Sequence, residues 1–244
     1  MEKRLALITG ASRGIGAETA KRLALDGYFV CLNFHRSKDE VEGVASYILQ
    51  SGGQCAMLCA DVSCEGDVVG MLDDIQDRYG YVSCLVNNAG YVSACQNLED
   101  MGCDEFHKVF AVNVYGVFFA IKYAVRHMKH LGKGAIVNVS SESAAYGGSR
   151  ISAYAASKGA VNSLTKGLAR ELAPFHIRVN AVSPGVIDTA ATREKTESRR
   201  DEMIRSIPLG RMGKPEEVAE VISWLLSDSS SYVSGAIVPV AGAR

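Results

Sequence analysis

Thr9-Gly10-Ala11-Ser12-Arg13-Gly14-Ile15-Gly16 is the stretch that decides the fold of this 244-residue chain. It joins the apolar run Leu5–Thr9 to a segment of helical period, Ile15–Asp26. Glycines at these spacings allow a sharp turn, close approach of the backbone to a pyrophosphate, and tight contact between helix and strand. The helix N-terminus then offers unpaired N–H groups to phosphates. The turn therefore predicts a dinucleotide site that includes Gly10, Ser12, Arg13, Gly14, Ile15 and Gly16.

The rest of the chain alternates short apolar runs with longer segments of helical period. The runs are rich in valine, isoleucine and leucine and do not alternate with polar residues, as is typical of parallel strands buried on both faces. The strand candidates are Leu5–Thr9, Phe29–Asn33, Gln54–Cys59, Cys84–Asn87, Ala135–Ser140, Arg178–Ser183 and Ile237–Val240.

Helical segments separate these strands, and their positions decide the fold class. Strand–helix alternation requires right-handed crossovers, which place helices on both faces of a parallel sheet. We therefore predict an α/β fold: a single doubly wound domain spanning residues 1–244, with a seven-stranded parallel sheet. The predicted helices are Ile15–Asp26, Lys38–Ser51, Glu65–Tyr79, Asp104–His130, Ala153–Ala173 and Pro215–Leu226.

The composition of the chain narrows the classes of function. Because 26 basic and 27 acidic residues nearly cancel, we expect neither nucleic acid nor an anionic membrane as a partner. An uninterrupted run of about 18 apolar residues does not occur, so a membrane span is not expected. The first predicted strand begins too near Met1 to leave room for a signal peptide, which favours the cytoplasm.

The seven cysteines all lie between Cys31 and Cys103. They form no Cys-x-x-Cys pair, and they do not combine with the histidines at zinc-site spacing, so we predict no metal site. Reduced thiols, several of them buried, are the expected state in a cytosolic protein.

The end of the second predicted strand bears on the choice of nicotinamide cofactor. Proteins that bind NAD usually carry an acidic residue there for the ribose hydroxyls. The stretch Phe29–Lys38 contains no acidic residue, whereas Arg36 and Ser37 directly follow the strand. Arg13 and Arg36 could bind one phosphate together, which favours the 2′-phosphate of NADP(H). The alternative is that Arg36 and Lys38 are ordinary solvated loop charges.

Tyr154 and Lys158 lie four residues apart, so on a helix their side chains share one face. This spacing is common by chance and proves little alone. Its significance comes from its neighbours, because Ser140-Ser141 ends the preceding strand and the chain already carries a dinucleotide turn.

Taken together, these features resemble the short-chain dehydrogenase/reductase family and, within it, the 3-oxoacyl-acyl-carrier-protein reductases. The resemblance covers essentially the whole chain and implies a Rossmann domain that interconverts a ketone and a secondary alcohol. Its motifs, in order, are Thr9–Gly16, Asp61-Val62, Asn87-Asn88-Ala89-Gly90, Asn113, Ser141, Tyr154–Lys158, Pro184-Gly185 and the Gly235 region.

The resemblance implies a catalytic tetrad of Asn113, Ser141, Tyr154 and Lys158. Tyr154 would give a proton to the substrate carbonyl oxygen, and Lys158 would lower the phenol pKa from its usual ~10 and bind the nicotinamide ribose. Ser141 would hydrogen-bond the carbonyl oxygen. Ser140 is its alternative, but Ser141 has the family's usual separation from Tyr154. Asn113 would hold a water that relays protons to Lys158, or it is a buried amide that bends its helix.

The resemblance also implies further contacts with the cofactor. Asp61 and Val62 would border the adenine, although Asp61 could instead cap the next helix. The remaining contacts, near the ribose and the nicotinamide, are Asn87, Ala89, Gly90, Tyr154, Lys158, Pro184, Gly185, Val186 and Thr189.

The substrate is the least determined feature. The resemblance implies an acyl thioester as substrate and an acyl carrier protein as its carrier, but the basic residues that hold the carrier correspond here to Gly132 and Phe175. Lys129, Lys133 and Arg170 could replace them. A sugar, a steroid or another small alcohol is the alternative substrate, and a non-catalytic NADP-binding sensor is an alternative of another class. An enoyl reductase is disfavoured, because that group places six residues between its tyrosine and lysine.

Two further features follow from position in the chain. Residues 187–209 follow the sixth strand, at the border of the ligand crevice, and are expected to form a substrate lid. Within them, Arg193–Arg205 interleaves charges of both signs, as a solvated helix does.

The family commonly forms homotetramers through its fourth and fifth helices. The small residues that fit such close helix approach, or equally a packed core, are Ala153, Ala155, Ala156, Gly159 and Ala160.

Replacing Arg13 and Arg36 together with alanine is expected to lower the NADPH/NADH ratio of kcat/KM by about tenfold or more. The reason is the loss of charge-assisted hydrogen bonds to the 2′-phosphate. Initial rates with both cofactors measure the ratio, and Arg78→Ala, on the third predicted helix, is the control. An unchanged ratio in the double variant would contradict the NADP assignment.

Overall fold

The computed structural model describes residues 4–193 and 196–244. Its parallel strands form one seven-stranded sheet in the order β3-β2-β1-β4-β5-β6-β7. The order reverses between β1 and β4, and a ligand crevice forms outside the carboxyl ends of the strands at such a switch point. The strands are β1 (Leu5–Ile8), β2 (Phe29–Phe34), β3 (Gln54–Cys59), β4 (Cys84–Asn87), β5 (Gly134–Val139), β6 (Ile177–Pro184) and β7 (Ile237–Val240).

Helices cover both faces of the sheet, so the predicted doubly wound α/β fold is confirmed. The predicted helices are all present, with ends displaced by about one residue, and short helices after β5 and β6 were not predicted. The helices are α1 (Gly14–Leu25), α2 (Lys38–Gln50), α3 (Glu65–Tyr79), α4 (Cys103–Phe110), α5 (Gly116–Leu131), α6 (Ser143–Tyr146), α7 (Ser152–Leu172), α8 (Ala190–Arg193), α9 (Glu197–Arg205) and α10 (Pro215–Leu226).

The sheet separates two apolar cores. Ile8 and Leu32 belong to the core beneath α1, α2 and α10, whereas Leu7, Leu85 and Ile136 belong to the core beneath α3, α5 and α7. Neighbouring residues of one strand point to opposite faces, so both cores draw on the same strands. Burying each such side chain contributes about 1.5–3 kcal/mol, which explains why the strand sequences are continuously apolar.

Both edge strands depart from the predicted pattern: in β7 no residue is fully buried, and β3 shows the departure in detail. Ala56 and Leu58 are buried, but Gln54, Met57 and Cys59 are exposed, so the prediction of burial on both faces is wrong for this strand. The reason is its position, because β3 has a strand neighbour on one side only and its outer face is incompletely covered.

A row of buried polar side chains fixes the centre of the sheet to α7. Asn87 Nδ2 donates to Asn138 Oδ1 (2.9 Å), and Asn138 Nδ2 donates to Thr165 Oγ1 (2.9 Å). Thr165 donates in turn to the Val161 carbonyl oxygen (2.8 Å). Because buried polar groups are costly unless paired, these bonds specify how α7 sits on β4 and β5.

The helical stretch Cys103–Leu131 is long and apolar enough to cross a membrane by length and composition, since one 18-residue window within it has a mean hydropathy of 1.4. This is weak evidence, since core helices of soluble proteins have the same properties. Ile121, Ala124 and Met128 pack into the core beneath α5, which accounts for part of the apolar content.

The described residues do not cover every prediction. Met1, Glu2 and Lys3 of the predicted domain lie outside them, and so do Glu194 and Lys195 of the predicted lid and charged stretch.

Candidate active site

The glycine turn lies against the end of β4. Gly10 has a left-handed φ of +63°, and a Cβ built on it would lie 2.9 Å from the Ala89 Cα. A Cβ on Gly16 would overlap the Gly10 carbonyl oxygen and Asn88 Nδ2. Gly14 also has a positive φ, +57°. Only glycine is compatible with this path, which leaves the backbone of the turn bare as a pyrophosphate cradle requires.

Three polar side chains that were not predicted as site residues hold this turn. Asn33, at the end of β2, accepts from the Gly10 N–H (3.3 Å) and donates to the Ala60 carbonyl oxygen (3.1 Å). Asn88 donates to the Gly10 carbonyl oxygen (2.9 Å), and Thr9 Oγ1 accepts from the Asn88 N–H (3.0 Å). The available signal was an amide at the carboxyl end of neighbouring strands, where the crevice forms.

Both arginines predicted to bind the 2′-phosphate are exposed, and Arg13 lies near an acidic side chain. Arg13 is 66% exposed, and its Nη1 lies 3.8 Å from Glu40 Oε1 on the first turn of α2. Arg36 is exposed just after β2 and Ser37 precedes α2. The sequence pattern stopped at Lys38 and did not anticipate Glu40.

Asp61 and Val62 follow β3, at the adenine end of the predicted site. Asp61 accepts from the Ser63 hydroxyl (2.7 Å) and the Ser63 N–H (2.9 Å), so its carboxylate forms a local turn and does not cap α3. Burial tends to raise the pKa of Asp61, but these hydrogen bonds, with His35 and Arg36, hold it below the usual value. Val62 is buried against Gly116, where a Cβ would lie 2.9 Å from Val62 Cγ2.

Lys158 lies in the interior at the other end of the site. Its Nζ donates to the Val139 carbonyl oxygen (2.8 Å) and lies 5.7 Å from the centroid of the Tyr154 ring. Burial lowers the pKa of Lys158 to about 8, because the ammonium is separated from water. The two side chains therefore share one helix face, as the spacing predicted.

Tyr154 is half-buried beside Ser141. Burial raises the pKa of the phenol, which is opposite to the lowering by Lys158 that the resemblance implies, and the Ser141 hydroxyl acts against that rise. Ser141 Oγ accepts from the Ser143 N–H (3.2 Å) and from the Ser143 hydroxyl (2.9 Å), so Ser143 orients it, although sequence reasoning did not single out Ser143. Ser140 instead donates to the Lys158 carbonyl oxygen (3.3 Å), which leaves Ser141 beside the tyrosine.

Asn113 lies in a π-helical turn, Ala111–Tyr115, between α4 and α5. Its Oδ1 accepts from the Tyr91 N–H (2.7 Å), and its Nδ2 donates to the Tyr91 carbonyl oxygen (2.9 Å) and to Ser157 Oγ (3.0 Å). The side chain thus matches the alternative of a buried amide at a helix irregularity. Such turns are frequent at functional sites, and the proton relay stays a prediction.

One cleft of about 1040 Å³ joins the glycine turn to the tyrosine and lysine. Gly14, Arg13 and Ile15 line one part of it, and Ser141, Tyr154 and Lys158 line another. The predicted nicotinamide-side residues Pro184, Gly185, Val186 and Thr189 line it as well. The structure therefore brings both groups of predicted residues to one cavity.

Small residues keep this cleft open. A Cβ on Gly90 would lie 3.6 Å from Asn113 Oδ1 and 3.7 Å from Lys158 Nζ, so glycine leaves that space free. Asn87 instead bonds within the sheet through Asn138. Asp61, Val62 and Arg36 lie apart from the cleft wall, at the ends of β2 and β3.

The predicted lid borders the same cleft in its described part. Thr192 and Met203 line it, and Asp188 pairs with Arg193 at 3.0 Å. Closure over a ligand stays a prediction. Among the described residues, no group of three histidine, cysteine or acidic side chains is placed to hold a metal ion, and none of the seven cysteines forms a disulfide bond.

Comparison with known proteins shows the family. A family model described as enoyl-(acyl carrier protein) reductase matches residues 10–242. The chain is 42% identical to the uncharacterized oxidoreductase YgfF of Escherichia coli strain K12, over 98% of this chain and 99% of that one. It is 38% identical to the 3-oxoacyl-[acyl-carrier-protein] reductase FabG of Pseudomonas aeruginosa, over 99% of this chain and 97% of the relative.

Solved structures agree with this comparison. A NAD+-bound xylitol dehydrogenase superposes with a TM-score of 0.92 at 33% identity, covering 98% of both chains. A gluconate 5-dehydrogenase from Burkholderia cenocepacia, in complex with NADP and tartrate, has a TM-score of 0.92 at 32% identity, covering 99% of this chain and 95% of that one. The chain belongs to the short-chain dehydrogenase/reductase family, and it is a nicotinamide-dependent enzyme acting on CH–OH and C=O groups.

Lys158 is expected to lose its proton as the pH rises through about 8, and to carry a charge below that value. In protein with isotope-labelled lysine side chains, NMR should show one lysine signal with this midpoint, which disappears in Lys158→Met. Lys166→Met, an exposed position of the same helix, is the control. A signal near 8 that survives in Lys158→Met would show that burial of Lys158 does not perturb its pKa as argued.

Proposed function

We propose that this protein is an NADP(H)-dependent oxidoreductase that reduces a ketone to a secondary alcohol, or performs the reverse reaction. The observation that carries the proposal is the single cleft, because the bare glycine turn and the group of Ser141, Tyr154 and Lys158 line the same cavity. A nicotinamide supplies hydride chemistry when it is bound along such a turn.

The chain's own residues supply the proton that the substrate oxygen receives in the reduction. Burial keeps Tyr154 protonated at neutral pH, as a proton donor to a developing alkoxide needs to be. Ser141, held by Ser143, is placed to hydrogen-bond the same oxygen. In the direction of alcohol oxidation Tyr154 must give up its proton first, and the ammonium of Lys158 favours that phenolate.

Local charge supports the preference for NADPH. Arg13 and Arg36 are exposed near the adenine end, and Phe29–Lys38 has no acidic residue to accept ribose hydroxyls. Glu40 weakens this support, because it already lies near Arg13. The two structural neighbours carry different cofactors, NAD+ and NADP, so the support comes from these side chains alone.

Two substrate classes have support. The relationship to the Pseudomonas reductase supports a 3-oxoacyl thioester carried by an acyl carrier protein. Lys129 Nζ lies 3.7 Å from the centroid of the Phe175 ring, which places a cation where the carrier-binding residue is replaced. A small hydroxylated substrate is the second candidate, because Glu142 and Arg244 bring a charged pair into the cleft. Cysteines that form no disulfide bond fit a reducing compartment such as the cytoplasm.

Tyr154→Phe is expected to lower kcat/KM for ketone reduction by more than about 100-fold, because the proton donor is removed while the ring is kept. The assay is NADPH oxidation with a panel of 3-oxoacyl thioesters and small ketones. Tyr232→Phe, at a fully exposed position, is the matched control.

Two outcomes of this experiment would contradict the proposal. Retention of more than a few per cent of activity in Tyr154→Phe would remove the tyrosine from the chemistry. Tight NADPH binding by the natural protein, without turnover of any carbonyl or alcohol, would indicate the sensor instead.

We also propose a homotetramer, in which α4, α5 and α7 meet their copies. Phe106, Tyr115 and Phe118 expose large aromatic surface on α4–α5, and Phe106 stacks on Phe110 at 4.7 Å between ring centroids. Exposed apolar patches of this kind mark interaction surfaces. Of the small residues predicted on α7, Ala153 and Ala155 are buried within the subunit, whereas Ala156 is exposed.

Phe118→Glu is expected to convert the tetramer to a smaller species, because it places a charge in the apolar contact. Light scattering at micromolar concentration measures the mass, with Leu49→Glu, an exposed position of α2, as control. A monomeric natural protein would contradict the assembly.

A further inference from the structure

The segment that follows β7 runs between two walls of the cleft. The Gly185 N–H donates to the Val240 carbonyl oxygen (3.1 Å), and the Leu209 N–H donates to the Gly242 carbonyl oxygen (3.2 Å). A Cβ on Gly185 would lie 2.8 Å from the Ala241 Cα, and one on Gly242 would lie 2.7 Å from a methyl carbon of Ile207. The segment is therefore held closely between the loop after β6 and the end of the predicted lid.

This segment brings the Arg244 side chain next to Glu142, the residue that follows the predicted catalytic Ser141. Arg244 Nη1 lies 2.7 Å from Glu142 Oε1, and both side chains line the cleft. Glu142 follows Ser141 in the chain, and its N–H donates to the Pro184 carbonyl oxygen (3.0 Å), which fixes its backbone to the end of β6. The side chains are 32% and 16% exposed, so among the described residues the pair is more shielded from water than most ion pairs, and about as shielded as Lys21–Glu18.

Only one oxygen of Glu142 is satisfied by this pair. Oε2 is buried and has no hydrogen-bond partner within residues 4–193 and 196–244. A buried carboxylate oxygen without a donor is costly, so a ligand that brings a donor to it gains affinity. Burial raises the pKa of Glu142, and the Arg244 guanidinium opposes that rise; in its ionised form the carboxyl group is an acceptor only.

We infer that Glu142 and Arg244 recognise a hydroxyl group next to the reacting carbonyl, and that the substrates are hydroxylated ketones and the corresponding vicinal diols. A hydroxyl can donate to Glu142 Oε2 and accept from the guanidinium at once. A 3-oxoacyl thioester brings only carbonyl oxygens and carbon to this part of the cleft, and these offer Oε2 no donor. The inference takes its reaction from the proposed function and decides between its two substrate classes.

The test compares substrates that differ by one hydroxyl. 3-Hydroxy-2-butanone and 2-butanone are reduced with NADPH, and 2,3-butanediol and 2-butanol are oxidised with NADP+, beside an acetoacetyl thioester. We expect kcat/KM to favour the hydroxylated member of each pair by about tenfold to a hundredfold, the range for a hydrogen bond to a charged group. Glu142→Gln should lower this preference at least about tenfold, because it removes the charge while keeping the shape.

The controls separate recognition from simple tethering of the segment. Arg78→Met removes an exposed arginine–aspartate pair on α3 and should leave the preference unchanged. A Glu142→Gln protein in which both members of each pair slow equally would overturn the inference, since a purely structural role predicts that result. A preference for the acetoacetyl thioester in the natural protein would also overturn it.

A binding measurement separates failure of this inference from failure of the proposed reaction. In Tyr154→Phe protein loaded with NADPH, calorimetry should show tighter binding of 3-hydroxy-2-butanone than of 2-butanone, and Glu142→Gln in the same background should abolish the difference. If the natural protein shows no turnover but this difference is present, the proposed reaction fails and the hydroxyl recognition stands. Equal binding of the two ketones overturns the recognition itself.

Discussion

The close packing of the glycine turn against the end of β4 is the constraint on which the rest of the site depends. Gly10 meets the Ala89 backbone at a distance that no Cβ allows, and Asn88 bonds the carbonyl groups of the turn. Because β1 and β4 flank the switch point of the sheet, this contact sets the floor of the crevice. A side chain at Gly10 would force the strand ends apart and displace the cofactor site and the tyrosine relative to each other.

Helix α7 carries Tyr154 and Lys158, and buried polar contacts hold it in place. The row from Asn87 through Asn138 to Thr165 fixes its middle, and Lys158 bonds the Val139 carbonyl oxygen at the end of β5. That contact removes the ammonium from water and lowers its pKa to about 8. The interactions that position Lys158 therefore also lower the pKa of its ammonium group.

The two ends of the cleft differ in how far their charged side chains are exposed to water. At the adenine end, Arg13 and Glu40 are exposed charges that solvent screens, so their mutual attraction is weak. At the substrate end, Glu142 and Arg244 are largely shielded, so their charges discriminate more strongly between ligands with and without a donor. This difference explains why we place substrate recognition on the second pair.

The sequence alone determined the strands, most helices, the glycine turn and the pairing of Tyr154 with Lys158, because these depend on local periodicity and spacing. It could not reveal that β3 is an edge strand, since burial depends on neighbours in the sheet. It could not show that Glu40 approaches Arg13, that Ser143 orients Ser141, or that Arg244 meets Glu142 across the cleft. Those contacts join residues through crossovers and loops whose course only the packed sheet decides, since a side chain's partners depend on where distant backbone comes to rest.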